Sequence, residues 1–438
     1  MTTAEGQPGR QRQETIYRNG VFGHTPAVPT NFAALEQAAK SKMTRQAWAY
    51  VAGGAGEGAG ITNNRAALDR WAIVPRMLRD CSQRDLTVEL FGRRLPAPIL
   101  VAPVGAAGLV YPHADVEIGA AAASVGVPYI FSNQGSASME DTAAEMDRVA
   151  AQGPGKAPRW FQLYWSTNDA VVDSFIRRAE GVAADALVVT VDTTLLGWRP
   201  EDLNIGSLPF TQAIGIAQYT SDRQFMASVR DRVAAARAAG ERPPVQVTRA
   251  AVKTLLSLAS NVPGNFVRNL VSPLPRASVE TFLDTYSRPS LTWNDIAGLR
   301  ERTTLPILVK GLLHPDDARR AVDIGVDGIV VSNHGGRQVD SVIGAADALA
   351  DITAVIGGRI PVIFDSGIRS GADIVKALAL GADAVTVGLP HIYGLALAGR
   401  QGVAEVLQNL IAELGLLLAL TGVRAVDELN PDLLRRVG

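Results

Sequence analysis

The amino-acid sequence predicts an α/β fold, a (β/α)8 barrel with an N-terminal helical segment and a long insert after the fourth strand. Three observations lead to this prediction. Short, continuous apolar runs recur along the chain with helical patterns between them. Nearly every run ends in polar residues. One interval, between Asp192 and Ile307, is more than a hundred residues long, far longer than a crossover between neighbouring strands needs.

The apolar runs predict eight strands. Continuous rather than alternating apolar runs are typical of parallel strands covered on both faces. The strands are predicted at 99–103, 127–132, 159–164, 186–192, 307–311, 328–333, 362–367 and 384–388. An open doubly wound sheet is the alternative. The barrel is favoured because polar groups after nearly every strand provide the ring of loops that forms the catalytic face of a barrel.

The remaining segments define the domain organisation. Residues 1–30 lack periodicity and are interpreted as an N-terminal arm or a poorly ordered tail. A helical pattern from Phe32 to Val51 follows, and the barrel domain is placed at 31–438. The insert, at about 204–290, leaves the catalytic face. We expect it to form a lid, to pack on a neighbouring subunit, or both.

Composition restricts the class of protein. The 438 residues are 47 % hydrophobic, and the formal net charge of −1 argues against binding to nucleic acid or to a membrane surface through charge. A single cysteine, Cys81, excludes an intramolecular disulfide framework. No secretory signal is visible, and the apolar run 415–420 is too short to span a bilayer. We therefore expect a soluble cytoplasmic protein, and no metal site is predicted.

The most informative segment is Ile329 to Asp340, where an apolar strand ends in Ser-Asn-His-Gly-Gly-Arg. His334 is a base that titrates near neutral pH, and Arg337 is a permanent cation whose planar fork suits a carboxylate. Together they suggest a substrate with an acid group and a removable proton beside it. The alternative is a structural turn in which His334 caps a carbonyl and Arg337 pairs with Asp340.

The motifs at the strand ends make the chain resemble the FMN-dependent α-hydroxy-acid oxidising enzymes. The resemblance covers this chain from about Ala34 to Glu428. The motifs are Ser-Asn-His-Gly-Gly-Arg-Gln-Val-Asp at 332–340, Phe-Gln-Leu-Tyr at 161–164, Thr-Val-Asp-Thr at 190–193, Lys-Gly at 310–311 and Asp-Ser-Gly-Ile-Arg at 365–369. Among the subgroups it is most similar to lactate 2-monooxygenase. This narrower resemblance depends on segments 161–165 and 196–200 and on the insert with 286–293.

The resemblance implies roles for individual residues. His334 matches the active-site base, and Asp192 matches the carboxylate that partners it, although a helix N-cap is the alternative for Asp192. Arg199 and Arg337 match the pair that holds the substrate carboxylate. Tyr50 and Tyr164 match two phenols at the substrate, with ordinary core tyrosines as the alternative.

The resemblance also implies an FMN site. Lys310 matches a cation beside the flavin ring, where positive charge stabilises the reduced form. Pro103, Val104 and Gly105 match the loop against the flavin face. The implied ring-binding residues are Ser132, Gln162, Thr190 and Ser332, and the implied ribityl and phosphate residues are Asp365, Gly367, Arg369 and Gly388.

The chain departs from the family after the eighth strand, where the usual Gly-Arg-Pro is Gly388-Leu389-Pro390. One phosphate arginine is therefore missing. Gly105 resembles monooxygenase and dehydrogenase members, whereas oxidases often carry Ala, and Gln134 replaces a pocket tryptophan of glycolate oxidase.

Three functions remain open. The expected reaction is oxidation of L-lactate with O2 to acetate, CO2 and water. The alternatives are an oxidase or dehydrogenase that releases the 2-keto acid, and a non-catalytic barrel that binds FMN or phosphate. A catalytic cysteine of the inosine-dehydrogenase type is not supported, because Cys81 precedes the first barrel strand. The family resemblance implies a homo-tetramer or octamer.

Overall fold

The computed structural model describes residues 7–151, 156–240 and 246–437. Its centre is a closed barrel of eight parallel strands, in which the eighth strand pairs with the first. The predicted (β/α)8 fold is confirmed, and all eight predicted strands are present; seven are shorter than predicted, and the fifth extends one residue further, to Leu312. The barrel strands are β1 Ile99–Val101, β2 Tyr129–Phe131, β3 Arg159–Leu163, β4 Leu187–Thr190, β5 Ile307–Leu312, β6 Gly328–Val331, β7 Val362–Phe364 and β8 Ala384–Val387.

Helices surround the barrel and build the insert. Helices α1 to α4 precede the barrel, α8 to α14 lie between β4 and β5, and α18 closes the chain's last β/α unit. The helices are α1 Pro8–Val21, α2 Phe32–Lys42, α3 Arg45–Ala52, α4 Ala59–Asp69, α5 Ala114–Val125, α6 Met139–Ala150, α7 Asp169–Gly181, α8 Pro200–Asn204, α9 Ala217–Thr220, α10 Arg223–Ala238, α11 Arg249–Asn261, α12 Phe266–Val271, α13 Leu274–Thr285, α14 Trp293–Gly298, α15 Pro315–Asp323, α16 Ala345–Ile356, α17 Gly371–Ala379 and α18 Leu389–Thr421.

The segment before the barrel contains more helix than the sequence predicted. Residues 8–21, where no periodicity was found, form α1, and residues 1–6 of the predicted arm lie outside the described residues. Helix α1 packs along α18 so closely that a Cβ on the buried Gly9 would lie 2.5 Å from the carbonyl oxygen of Ala412. The single helix predicted from Phe32 to Val51 is divided into α2 and α3, because Thr44 caps the N-terminus of α3.

Helix α18 is long and apolar enough to cross a membrane by length and composition. Its backbone is kinked at Ala398 and Gly399, which divides it into two helical segments. It packs against α1, α2, α5 and α17, and Leu414 and Leu418 are fully buried. Helix α18 therefore lies on the outside of the barrel as a packed core helix of this fold.

The amino end of the barrel is closed. A hairpin of strands Val88–Leu90 and Arg93–Leu95, which the sequence did not predict, covers this end. Phe91 at its turn lies edge-on to Trp160, with ring centroids 5.5 Å apart. The barrel interior is filled with apolar side chains such as Leu308 and Ile363. Chemistry is therefore restricted to the carboxyl ends of the strands, as in other barrels of this class.

The insert packs against the barrel of its own chain. Tyr219 contacts Phe175 of α7 with ring centroids 4.9 Å apart, and it contacts Phe282 of α13 at the same distance. Phe210 connects this cluster to Tyr50 of α3, 6.4 Å away. The insert is thus anchored by buried aromatic rings next to the carboxyl end of the barrel.

Candidate active site

His334 and Asp192 form a half-buried pair at the carboxyl ends of β6 and β4. The Nδ1 atom of His334 lies 2.9 Å from Oδ1 of Asp192. Thr193 donates its hydroxyl to the same carboxylate oxygen at 2.8 Å, and its hydroxyl lies 3.2 Å from Nδ1 of His334. Because Nδ1 faces a carboxylate, we infer that it carries the ring proton. The Nε2 atom is then free to accept a proton.

Glycines permit this arrangement. His334, Gly335 and Gly336 all have positive φ angles, of 58°, 66° and 75°. A Cβ on Gly336 would lie 2.5 Å from the backbone nitrogen of Ile61 in α4, so only glycine fits there. Likewise, a Cβ on Gly311 would lie 2.7 Å from Cβ of Asp192. Gly336 therefore lets the loop that carries His334 pack against α4, and Gly311 lets Asp192 pack against β5.

The environment sets the protonation states of the pair. Burial lowers the pKa of His334 below its usual value and outweighs the opposing effect of Asp192. Burial alone would raise the pKa of Asp192, but His334 and Lys310 outweigh burial and lower it. At neutral pH, Asp192 is therefore ionised and His334 is a neutral base.

Two arginines, the buried Arg199 and the half-buried Arg337, line the same cleft as the histidine. Arg199 donates from Nε to the carbonyl of Arg337 at 3.2 Å and from Nη2 to Oε1 of Gln338 at 2.8 Å. Arg337 donates to the carbonyls of Val51 and Gly53. Its guanidinium lies over the ring of Tyr50, 5.2 Å from the centroid.

Neither arginine has a carboxylate within 4.0 Å in the described part of the chain. Burial, together with the charge of Arg199, lowers the pKa of Arg337 to about 10. Two desolvated cations without a contacting counter-ion are costly, and an anionic ligand between them relieves that cost. The pair is thus suited to a carboxylate, and the predicted alternative of an Arg337–Asp340 pair is wrong. Asp340 instead accepts from the backbone of Glu57 and Ala59.

Three tyrosines line the same cleft, namely Tyr50, Tyr164 and Tyr286. Burial raises the pKa of all three, so each phenol is neutral and available as a hydrogen-bond donor. Tyr286 follows α13 of the insert and was not predicted as a site residue. Its only sequence signal was its place at the start of a segment typical of one subgroup.

Lys310 lies at the base of the cleft. Its Nζ atom is 3.0 Å from Oδ2 of Asp365 and donates to the hydroxyl of Ser332 at 2.9 Å. Ser332 donates in turn to Asp365 at 2.6 Å, and Thr386 donates to the other carboxylate oxygen. Burial favours neutral Lys310, but Asp365 and Asp192 outweigh it and raise the lysine pKa. Lys310 is therefore charged.

Buried polar atoms at the ends of β2, β3 and β4 fit a flavin ring. Nδ2 of Asn133, Nε2 of Gln162 and Oγ1 of Thr190 are buried and have no hydrogen-bond partner among the residues that the structure describes. Oε1 of Gln162 accepts from the backbone of Asn133 at 3.1 Å, which fixes its amide. Buried polar groups are normally paired, so these atoms indicate a polar ligand edge at this position. The hydrogen-bonding edge of an isoalloxazine ring has the required chemistry.

The loop after β7 fits a phosphate. Ser366 and Gly367 have positive φ angles of 91° and 99°, and Arg369 follows them at the rim. Gly388 and Leu389 line the same cleft, and Leu389 takes the place of a second cation. The donors present fit FMN, with one fewer arginine than the family pattern.

Most predicted site residues line one cleft: Tyr50, Pro103, Val104, Gly105, Tyr164, Arg199, Lys310, His334, Arg337, Asp365, Gly367, Arg369 and Gly388. The others lie behind the lining, buried or half-buried at strand ends: Ser132, Gln162, Thr190, Asp192 and Ser332. Asp192 reaches the cleft through His334. Ser332 contacts Lys310 and Asp365 rather than the cleft itself. Among the described residues, no group of three or more His, Cys, Asp or Glu side chains could hold a metal ion.

Comparison with known proteins gives a consistent picture. The family model for FMN-dependent dehydrogenases matches residues 39–436. An L-lactate oxidase of Lysinibacillus sphaericus is 40 % identical over 406 residues, 92 % of each chain. An FMN-dependent alpha-hydroxy acid dehydrogenase of Penicillium citrinum is 39 % identical over 97 % of this chain and 95 % of its own.

Solved structures agree. A mandelate oxidase with (S)-4-hydroxymandelic acid has a TM-score of 0.73 and 33 % identity, and the match covers 93 % of this chain and 98 % of the other. Another mandelate oxidase structure, at a TM-score of 0.71 and 32 % identity, contains a C4a-OH-FMN adduct; that match covers 92 % of this chain and 99 % of the other.

Proposed function

Because the chain belongs to the family of FMN-dependent α-hydroxy-acid dehydrogenases, we propose that it oxidises a small L-2-hydroxy acid, L-lactate, with O2 as the electron acceptor. One observation carries the proposal. His334, paired with Asp192, lines the same cleft as Arg199 and Arg337, and neither arginine has a carboxylate within 4.0 Å among the described residues. This arrangement suits a substrate with a carboxylate next to a carbon that bears a hydroxyl group and a removable hydrogen.

FMN, when bound, accepts the two electrons of the oxidation. Arg199 and Arg337 bind the substrate carboxylate and fix its orientation. Nε2 of His334 takes a proton from the substrate, and Asp192, 2.9 Å from Nδ1, stabilises the imidazolium that forms. Lys310 keeps its positive charge at the base of the cleft, where negative charge develops during the oxidation.

The lining of the cleft favours a small substrate. Tyr50, Tyr164 and Tyr286 surround the arginines with donors, and Gln134 narrows the side next to Gly105. The name of the L-lactate oxidase relative supports lactate, whereas the mandelate oxidase structures support a larger side chain for those proteins.

The insert decides the fate of the keto acid in this proposal. Retained pyruvate reacts with the peroxide formed beside it, so that lactate and O2 give acetate, CO2 and water. The aromatic contacts from Phe210 to Tyr50 and Tyr286 support retention, because they fix the insert at the mouth of the cleft. A second candidate is an oxidase, for which lactate and O2 give pyruvate and H2O2, and the L-lactate oxidase relative favours it.

Product analysis after aerobic turnover of L-lactate tests the proposal. We expect one acetate and one CO2 for each O2 that is consumed. Pyruvate with an equal amount of H2O2 overturns the monooxygenase outcome in favour of the oxidase. If L-lactate reduces the flavin but no O2 is consumed, the result supports a dehydrogenase. A flavin that L-lactate does not reduce contradicts all three.

A further inference from the structure

Arg369, at the predicted phosphate loop, is held by an aromatic ring. Its guanidinium carbon lies 4.6 Å from the centroid of the Phe32 ring, at the start of α2. Arg369 makes no ion pair with a carboxylate in the described ranges, so its positive charge is available to a ligand. An arginine over an aromatic face is attracted by the ring quadrupole, and the contact also restricts its flexible side chain.

The neighbouring cations are not available in the same way. Leu389 stands where the family pattern has a second arginine. Arg65 lines the same end of the cleft, but both oxygens of Asp373 accept from it at 2.9 and 2.7 Å, and Asp69 also pairs with it. Lys376 donates to the carbonyl of Leu68. Arg369 is therefore the cation best placed to neutralise a phosphate.

Phe32 is itself fixed by further rings. Its centroid lies 5.8 Å from that of Tyr393, in the first turns of α18. Tyr393 stacks on Trp48 of α3 at 5.7 Å with an interplanar angle of 13°, and it donates its hydroxyl to Glu36 at 3.3 Å. The ring under Arg369 is thus part of a stack that connects three helices.

We propose that Phe32 is a positioning residue for the FMN phosphate: its ring holds the guanidinium of Arg369 at the phosphate loop, in a chain that lacks the second arginine. The inference depends on FMN as the cofactor and not on the identity of the hydroxy acid. Phe32 does not itself contact the phosphate in this account; it acts through Arg369.

Titration of apoprotein with FMN and with riboflavin separates this role from simple packing. Phe32→Leu keeps an apolar side chain but removes the ring, and we expect FMN to bind about fivefold more weakly. Riboflavin, which lacks the phosphate, should bind Phe32→Leu and wild-type protein equally well. Phe32→Tyr should restore FMN affinity. Trp48→Leu is the matched control, because it removes a ring of the same stack that does not contact Arg369, and it should leave the ratio of FMN to riboflavin affinity unchanged.

A double-mutant cycle completes the test. In an Arg369→Met background, Phe32→Leu should cause no further loss of FMN affinity, because the cation that it positions is absent. Equal losses for FMN and riboflavin, or the same fivefold loss in both backgrounds, would overturn the proposal. Both readouts are binding measurements, so they remain informative if the proposed reaction with lactate fails.

Discussion

The imidazole of His334 and the carboxylate of Asp192 lie 2.9 Å apart at the ends of two strands that are not neighbours in the barrel, with β5 between them. Gly311 of β5 makes this possible, because any side chain there would collide with Asp192. The pair therefore depends on three strands, and its members are 142 residues apart in the chain.

The proposed role of His334 as the base predicts the effect of His334→Gln. The variant should still bind FMN, because the buried polar atoms that fit the flavin lie on β2, β3 and β4. Reduction of the flavin by L-lactate without O2 should slow by a factor of at least about 10². Stopped-flow absorbance measures both properties, and reduction at the wild-type rate would remove His334 from that role.

The lowered pKa of His334 predicts the pH dependence of kcat/KM. A base must be unprotonated, so activity should fall as the pH decreases, with a midpoint below 6.5 in the free enzyme. Asp192 raises the histidine pKa against the effect of burial. Asp192→Asn should therefore move the midpoint to lower pH and also reduce the plateau at least about tenfold, because the imidazolium loses its partner. A midpoint that moves to higher pH contradicts this assignment.

The position of Leu389 beside the phosphate loop predicts a gain in FMN affinity. Leu389→Arg adds a cation opposite Arg369 and should tighten FMN binding by about 1 kcal/mol at low ionic strength. The gain should decrease in high salt because exposed charges are screened. Leu389→Met, which is similar in size but uncharged, is the control. If both variants bind FMN like the wild type, another group already neutralises the phosphate.

The insert was expected to act as a lid, as a subunit contact, or as both, and its aromatic contacts now suggest a more precise experiment. Replacing residues 208–284 with a linker would remove Tyr219, which packs on Phe175 and donates to Asn133 at 2.9 Å. Such a deletion would damage the barrel end itself. Phe210→Leu is the smaller change, since it loosens the contacts of Phe210 with Tyr50, Tyr286 and Phe282 but leaves Tyr219 in place.

Phe210→Leu should leave anaerobic flavin reduction close to the wild-type rate and shift aerobic products from acetate toward pyruvate and peroxide. Phe225→Leu is the matched control, because Phe225 is equally buried in the insert but contacts Tyr219 rather than Tyr50. Quantifying acetate, pyruvate and peroxide in parallel decides the outcome. An unchanged ratio of products for Phe210→Leu would show that its contact does not control retention.

The sequence contained most of the local features of the fold. Each barrel strand was visible as a short apolar run, since both faces of a parallel strand are buried, and each run carried its polar residues at the end that becomes the catalytic face. The helix of residues 8–21 was missed because its side chains are mostly polar and only Gly9 is buried. The hairpin at 88–95 was missed because Glu89, Arg93 and Arg94 interrupt its strands, which therefore lack a continuous apolar run.

Contacts between distant segments were less visible in the sequence. The side-chain oxygen of Gln338 accepts a hydrogen bond from Arg199, and its side-chain nitrogen donates to the backbone carbonyls of Asp192 and Leu195. Nothing in the sequence near Gln338 indicates these partners. Tyr286 and Phe32 reach the cleft from the insert and from the N-terminal helices. Such residues are defined by tertiary packing, and no periodicity or motif in their own segment specifies it.

Mixing the FMN-loaded protein with L-lactate in the absence of O2 is the most direct measurement of the central claim, that this site oxidises a small L-2-hydroxy acid. We expect L-lactate to bleach the flavin absorbance and to form one pyruvate for each FMN reduced. Arg337→Met should slow this reaction strongly, because the carboxylate loses its anchor. A flavin that stays oxidised with L-lactate, while FMN remains bound, would contradict the assignment of L-lactate as a substrate of this site.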